Sequence, residues 1–160
     1  MDRISKENYY LDIAQTVLER ATCLRRVYGA IIVKNDEIIS TGYNGAPRGR
    51  RNCIDLGHCT REELQIPSGE RYELCRSVHA EANAIISAAR RDMLGATMYL
   101  SGRDAVTGEF LPQTASCSMC RRQIINAGIT NVVSRDGEGN VVSTPVRDWI
   151  FNDDSLPALM

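Results

Sequence analysis

Several things are scarce in this 160-residue chain, and each scarcity removes a class of function. The formal net charge is only -1, so nothing pulls the whole molecule toward a phosphate backbone, which argues against a polynucleotide substrate. No run approaches the roughly 18 apolar residues of a membrane span, and the stretch from Met1 to Glu7 lacks the apolar core of a secretory signal. The expected compartment is the cytoplasm, where the six cysteines read as thiols or metal ligands rather than disulfides. Internal repeats and low-complexity linkers are also missing, and the length suits one domain over residues 1–160 with a sizeable core.

What is present is organised around two short motifs. His79-Ala80-Glu81 opens an apolar, helix-like run, and Ser116-Cys117-Ser118-Met119-Cys120 opens another. Imidazole from His79 and thiolates from Cys117 and Cys120 suit a borderline-soft Zn²⁺ and leave one coordination position for water, as a catalytic site needs. Two thiolates three residues apart fit within one helical turn, where free N–H groups favour negative charge. Glu81, two residues from His79, does not share its helical direction, which suits a proton carrier beside the metal better than a ligand on it. Taken alone, a C-x-x-C also reads as a redox pair or half of a structural zinc site.

The remaining chain alternates between helical and extended patterns. Residues 6–22 carry Tyr10, Ile13, Ala14, Val17 and Leu18 at helical spacing behind Ser5, a natural N-cap. Val27–Val33 and Glu37–Thr41 read as strands joined by a turn at 34–36. A helix is expected over 79–91, a short strand over 97–100, a helix over 121–127 stopped by Gly128, and a strand over 129–133. A turn at 136–140, a weak strand at Val141-Val142 and a short helix over 147–151 follow, with an acidic end expected to fray or to dock on a neighbour. Trp149 and Phe151 read as packing residues.

Two further clusters carry chemistry. Arg48, Arg50 and Arg51 offer forked guanidinium groups suited to a phosphate monoester or an anionic effector, Arg48 foremost because it is nearest the Gly42-Tyr43-Asn44-Gly45 turn; the bland alternative is a solvated charged surface. The irregular stretch 52–75 holds Cys53, His58, Cys59 and Cys75, which with Cys23 supply enough soft ligands for a second, structural zinc.

An H-x-E followed by a C-x-x-C is the signature of the zinc nucleobase deaminases. With Thr41-Gly42-Tyr43-Asn44-Gly45-Ala46-Pro47, the chain resembles the cytidine and deoxycytidylate deaminase superfamily, in particular its deoxycytidylate branch, over roughly residues 5–134. The resemblance implies a three-layer α/β/α sandwich on a mixed sheet of about five strands. It implies hydrolytic deamination of dCMP to dUMP with release of ammonia, Glu81 shuttling protons, Ala80 and Ser116 orienting the pyrimidine through backbone groups, and Asn44 contacting the sugar. Self-association and a nucleoside triphosphate effector come with the same resemblance, as does the placement of Cys23, Cys53 and Cys59 at a second zinc. The chain departs from the family pattern where residues 102–115 intervene and Ser116 replaces the usual proline, which leaves the substrate open. Alternatives are another small nucleotide, nucleoside or base, an adenosine in tRNA, or a non-enzymatic zinc-stabilised binding module.

Overall fold

The computed structural model describes residues 1–153. Its five strands are β1 (Arg26–Lys34), β2 (Glu37–Tyr43), β3 (Thr97–Asp104), β4 (Asn131–Arg135) and β5 (Val141–Pro145). They form one mixed sheet in the order β2-β1-β3-β4-β5, parallel only between β3 and β4. Strand side chains alternate in direction, and the run Ala30–Val33 is apolar throughout because helices cover both faces. Ile31 and Val33 pack with Tyr10, Leu11 and Ala14 of α1 (Lys6–Leu18) on one face. Ala30 and Ile32 pack on the other with residues of α4 (Ala80–Ile86) and α6 (Ser118–Ala127), where Trp149 of α7 (Val146–Phe151) joins them. This is the expected three-layer α/β/α arrangement.

Local rules account for the element ends. Ser5 caps α1, accepting a hydrogen bond from the Asn8 N–H at 3.2 Å. The β1–β2 turn places Asn35 and Asp36 at φ 52° and 63°, the left-handed pair that a tight hairpin requires. Gly29 lets α1 lie directly on β1, since a Cβ there would sit 2.2 Å from the Ala14 carbonyl oxygen.

Four expectations need correction. Helix α1 ends at Leu18, and residues 19–25 lead irregularly into β1. The Ala-rich helix expected over 79–91 is broken after Ile86 and resumes as α5 (Arg90–Met93). Tertiary packing overrides propensity here: the break turns Met93 into the core and brings Arg90 Nε to the Asn126 carbonyl at 2.7 Å. Strand β3 continues to Asp104, so the first part of the expected 102–115 insertion pairs with Arg26–Tyr28 of β1. The chain then doubles back through Gly108, and the Pro112 carbonyl accepts the Gly137 N–H at 3.0 Å. Finally, Phe151 is 79% exposed, because the short α7 turns Val146 and Trp149 inward and leaves Phe151 outside.

Residues 52–75 condense into α2 (Cys53–Leu56), α3 (Thr60–Glu63) and a 3-10 turn, Tyr72–Leu74. The end of the acidic tail, residues 154–160, lies outside the described residues.

Candidate metal centre and pocket

Two helix starts meet at one edge of the sheet. His79 is the N-cap of α4 and Cys117 the N-cap of α6, both in extended backbone conformation, so their side chains swing off the helix ends toward each other. His79 Nδ1 lies 3.3 Å from Cys120 Sγ and 3.5 Å from Cys117 Sγ, and the three ligand atoms fall within 4.8 Å of one another. A sulfur and a nitrogen on one tetrahedral zinc lie about 3.5 Å apart, so both the spacing and the donor set fit that ion. Among the described residues this is the one His/Cys/Asp/Glu group with metal-holding geometry.

The electrostatics are those of a protonated imidazole beside a thiolate. The Cys117 contact first, and then Cys75, raise the His79 imidazole to about 10 against the opposing effect of burial. The Cys117 thiol is pulled far down, first by the Cys120 hydrogen bond, while the same contact pushes Cys120 up. An incoming cation displaces these shared protons. Glu81 is buried at 5% exposure, and burial pushes its carboxyl up from the ordinary carboxylate range, partly offset by its own backbone N–H. Ala80, also buried, is the first residue of α4, where a backbone N–H has no intrahelical partner.

The neighbouring residues have definite places. The Ser116 carbonyl accepts from Arg121 Nε at 3.0 Å and keeps a second lone pair. Its hydroxyl is buried beside Glu81, where it holds that carboxyl down, and does not cap α6, because with Cys117 at the N-cap it lies one residue too early. Asn44 is buried; its Oδ1 accepts from the Tyr28 N–H at 2.8 Å and its Nδ2 donates to the Arg26 carbonyl at 2.9 Å. One amide proton remains for a ligand.

A cavity of about 120 Å³ opens over these groups, lined by Asn44, His79, Glu81 and Cys117 together with Arg25, Arg26, Tyr28, Arg61 and Tyr72. Sequence reasoning missed these last five, although Arg25 and Arg26 directly precede the strand that carries Tyr28. Arg48 lines a different cavity of about 300 Å³ with Arg20, Arg50, Asn52 and Asn83, away from His79 and Glu81. Cys23, Cys59 and Cys75 border the first cavity. Burial and then the nearby Cys23, Cys75 and Cys59 thiols act on buried Cys53. His58 stands apart, half exposed and 3.6 Å from Glu63.

Residues 4–135 match the family model for the cytidine and deoxycytidylate deaminase zinc-binding region. A deoxycytidylate deaminase of Mycobacterium phage D29 is 36% identical over 138 residues, covering 83% of this chain and 96% of that protein. One from Schizosaccharomyces pombe is 32% identical over 131 residues, covering 82% of this chain and 37% of that protein, so the chain spans well under half of the yeast relative. Among solved structures, the apo dCMP deaminase of cyanophage S-TIM5 shares the fold with a TM-score of 0.58 at 24% identity, covering 84% of this chain and 85% of that one.

Proposed function

The chain belongs to the cytidine and deoxycytidylate deaminase family, and from that premise we propose that residues 1–160 form a single deaminase domain that converts dCMP to dUMP with release of ammonia. The observation that carries this reading is the meeting of His79, Cys117 and Cys120 beside a buried Glu81, in a chain matching nearly the full length of a phage deoxycytidylate deaminase. His79, Cys117 and Cys120 would hold the zinc, which when bound supplies Lewis acidity that activates water near neutral pH.

Glu81 moves the protons. Its raised pKa suits a carboxylate that takes the two protons of the attacking water in turn, delivering the first to ring N3 and the second to the departing amine. The balance is one water consumed and one ammonia released. The Ala80 N–H donates to the pyrimidine carbonyl and the Ser116 carbonyl accepts from its amino group. Asn44 presents its remaining amide proton to the sugar.

Cys23, Cys53, Cys59 and Cys75 are the candidates for a second, structural zinc, supported by Cys23, Cys59 and Cys75 bordering one cavity; they would have to draw together to hold it, since among the described residues the His79, Cys117 and Cys120 group alone has that geometry. Arg48 is assigned to a nucleoside triphosphate effector, supported by the three guanidinium groups around the second cavity. Self-association and a cytoplasmic location belong to the same proposal; among the described residues no helix is long and apolar enough to cross a membrane.

The deciding experiment follows ammonia release and product mass for dCMP beside CMP, deoxycytidine and cytosine. Selective turnover of dCMP supports the proposal. Turnover of another compound alone moves the assignment to that substrate, and bound zinc with no turnover of any moves it to a binding module.

A further inference from the structure

The carbonyl beside the metal ligands is held from outside the pocket. Ser116 is 4% exposed and directly precedes Cys117, and its two neighbours in the chain, Ala115 and Cys117, both line the cavity over Glu81. A proline ring at 116 would fix φ there; serine leaves that rotation free. Arg121, in the first turn of α6, donates from Nε to the Ser116 carbonyl oxygen at 3.0 Å. Arg121 is not among the residues that line the cavity, so it acts on a ligand only through that carbonyl. A hydrogen bond from a charged donor is strong and directional, which makes it a firm brace on an otherwise free peptide.

The brace is itself supported. The Arg121 guanidinium carbon lies 5.2 Å from the centroid of the Trp149 ring, within cation–π range. Trp149 belongs to α7 and packs against the core that α4 and α6 share, which anchors its ring. An arginine stem has several rotatable bonds, and a ring at the guanidinium together with a carbonyl acceptor removes much of that freedom. Trp149 also lies beyond residues 4–135, the part that matches the family model. A helix outside the family region thus supports a backbone group beside the metal ligands.

We propose that Arg121 is a positioning residue which, held by Trp149, fixes the Ser116 carbonyl where that oxygen accepts the amino group of the substrate. This rests on the deoxycytidylate reading above. The second lone pair of the oxygen stays available to the substrate. Arg121 contributes position and not charge, since a cation near the leaving amine opposes its protonation. The competing role for the same contacts is to secure α6 to α7, with no bearing on the ligand.

Cytosine and uracil differ at this oxygen: the amino group of cytosine donates to it, and the carbonyl at the same ring position of uracil cannot. Calorimetric binding of dCMP and of dUMP to zinc-loaded Glu81→Gln protein, in which turnover is slowed, therefore separates the two roles. Adding Arg121→Met, which keeps an apolar stem near Trp149 and removes the donor, should weaken dCMP by about 5–20-fold, the range for one misplaced hydrogen bond, and change dUMP by less than about twofold. Arg121→Lys, which keeps charge but not the fork, should fall between. Trp149→Phe should show a smaller loss with the same selectivity, and serves if the Met variant does not fold. With Glu81 restored, Arg121→Met should lower kcat/KM for dCMP by a similar factor. Equal weakening of both ligands would leave Arg121 a structural role alone and overturn the proposal, as would unchanged binding of dCMP. A wild-type protein that binds neither ligand and releases no ammonia would overturn the deoxycytidylate reading and this one with it, whereas turnover of dCMP indifferent to Arg121 overturns only this one.

Discussion

Gly42 of β2 lies so close to the first turn of α4 that a Cβ on it would stand 2.4 Å from the Ala80 carbonyl oxygen. The same Cβ would meet the Ala84 backbone nitrogen at 2.4 Å, so the contact is with helix backbone that cannot rotate away. The helix bearing His79 and Glu81 is therefore set against the sheet by the absence of a side chain. Gly42→Ala should destabilise the fold by about 1–3 kcal/mol, the usual cost of overpacking, and lower kcat more than a similarly destabilising change remote from α4. Thermal melting and steady-state rates on one preparation check both parts.

Glu81→Gln keeps the shape of the side chain and removes its ability to carry protons. Bound zinc should stay at the wild-type level while ammonia release falls by at least about 10²-fold, the lower range for general acid–base catalysis. Wild-type turnover in this variant would refute the proton-carrier role.

Metal removal should affect stability as well as rate. A ligand that binds only the folded state raises the melting temperature by mass action, so a chelator should lower it and stop ammonia release. Zinc returned to the stripped protein should restore both. Cys120→Ser should prevent that recovery, because Cys120 is fully buried between the helices and supplies one of the three ligand atoms.

At the opposite face, the Tyr10 hydroxyl donates to Asp36 Oδ1 at 2.5 Å. That hydrogen bond first, and burial second, raise the Tyr10 phenol to about 12, while the same bond lowers Asp36. Below the ordinary tyrosine value near 10 both states hold the phenolic proton and the stabilisation is complete. Between about 10 and 12 the unfolded chain has lost the proton that the folded chain keeps, so stability falls as pH rises through that window. The Asp36 contribution has the opposite limb, present above its unfolded value and lost as pH falls through its depressed folded one. Tyr10→Phe should remove the tyrosine limb and lower the melting temperature at neutral pH by about 2–4 °C, the effect of one hydrogen bond in a chain of this size. Melting curves across pH 8 to 12 check it.

The metal centre was legible because its residues carry local signals. His79 and Cys117 each open a periodic apolar run, and a helix start is where a ligand can leave the backbone and reach a neighbour. Strands β1 and β2 were legible from apolar content and the turn residues between them. The rest of the pocket was not. Arg61 sits on a one-turn helix with no periodicity, and only the tertiary fold closes the Pro67 and Glu70 carbonyls over it. Arg48 is near Asn44 in sequence, yet it lines the second cavity while Asn44 lines the first. Adjacency along a chain does not say on which side of a strand it will leave. The interruption after Ile86 was hidden for a related reason: Ala-rich sequence favours a continuous helix, and only packing of Met93 breaks it.

The segment between β3 and α6 is secured at its base on both sides. Asp104 accepts the Val106 and Thr107 N–H groups through its carboxylate, and Pro112 is tied to Gly137 in the β4–β5 turn. Between those anchors lies an exposed tip, with Val106 at 85% exposure and Gly108 in left-handed conformation. Ala115, beyond the second anchor, borders the cavity. Length and wall are thereby uncoupled: the tip can drift in evolution, or accept a grafted peptide tag, while the residue that shapes the pocket keeps its place.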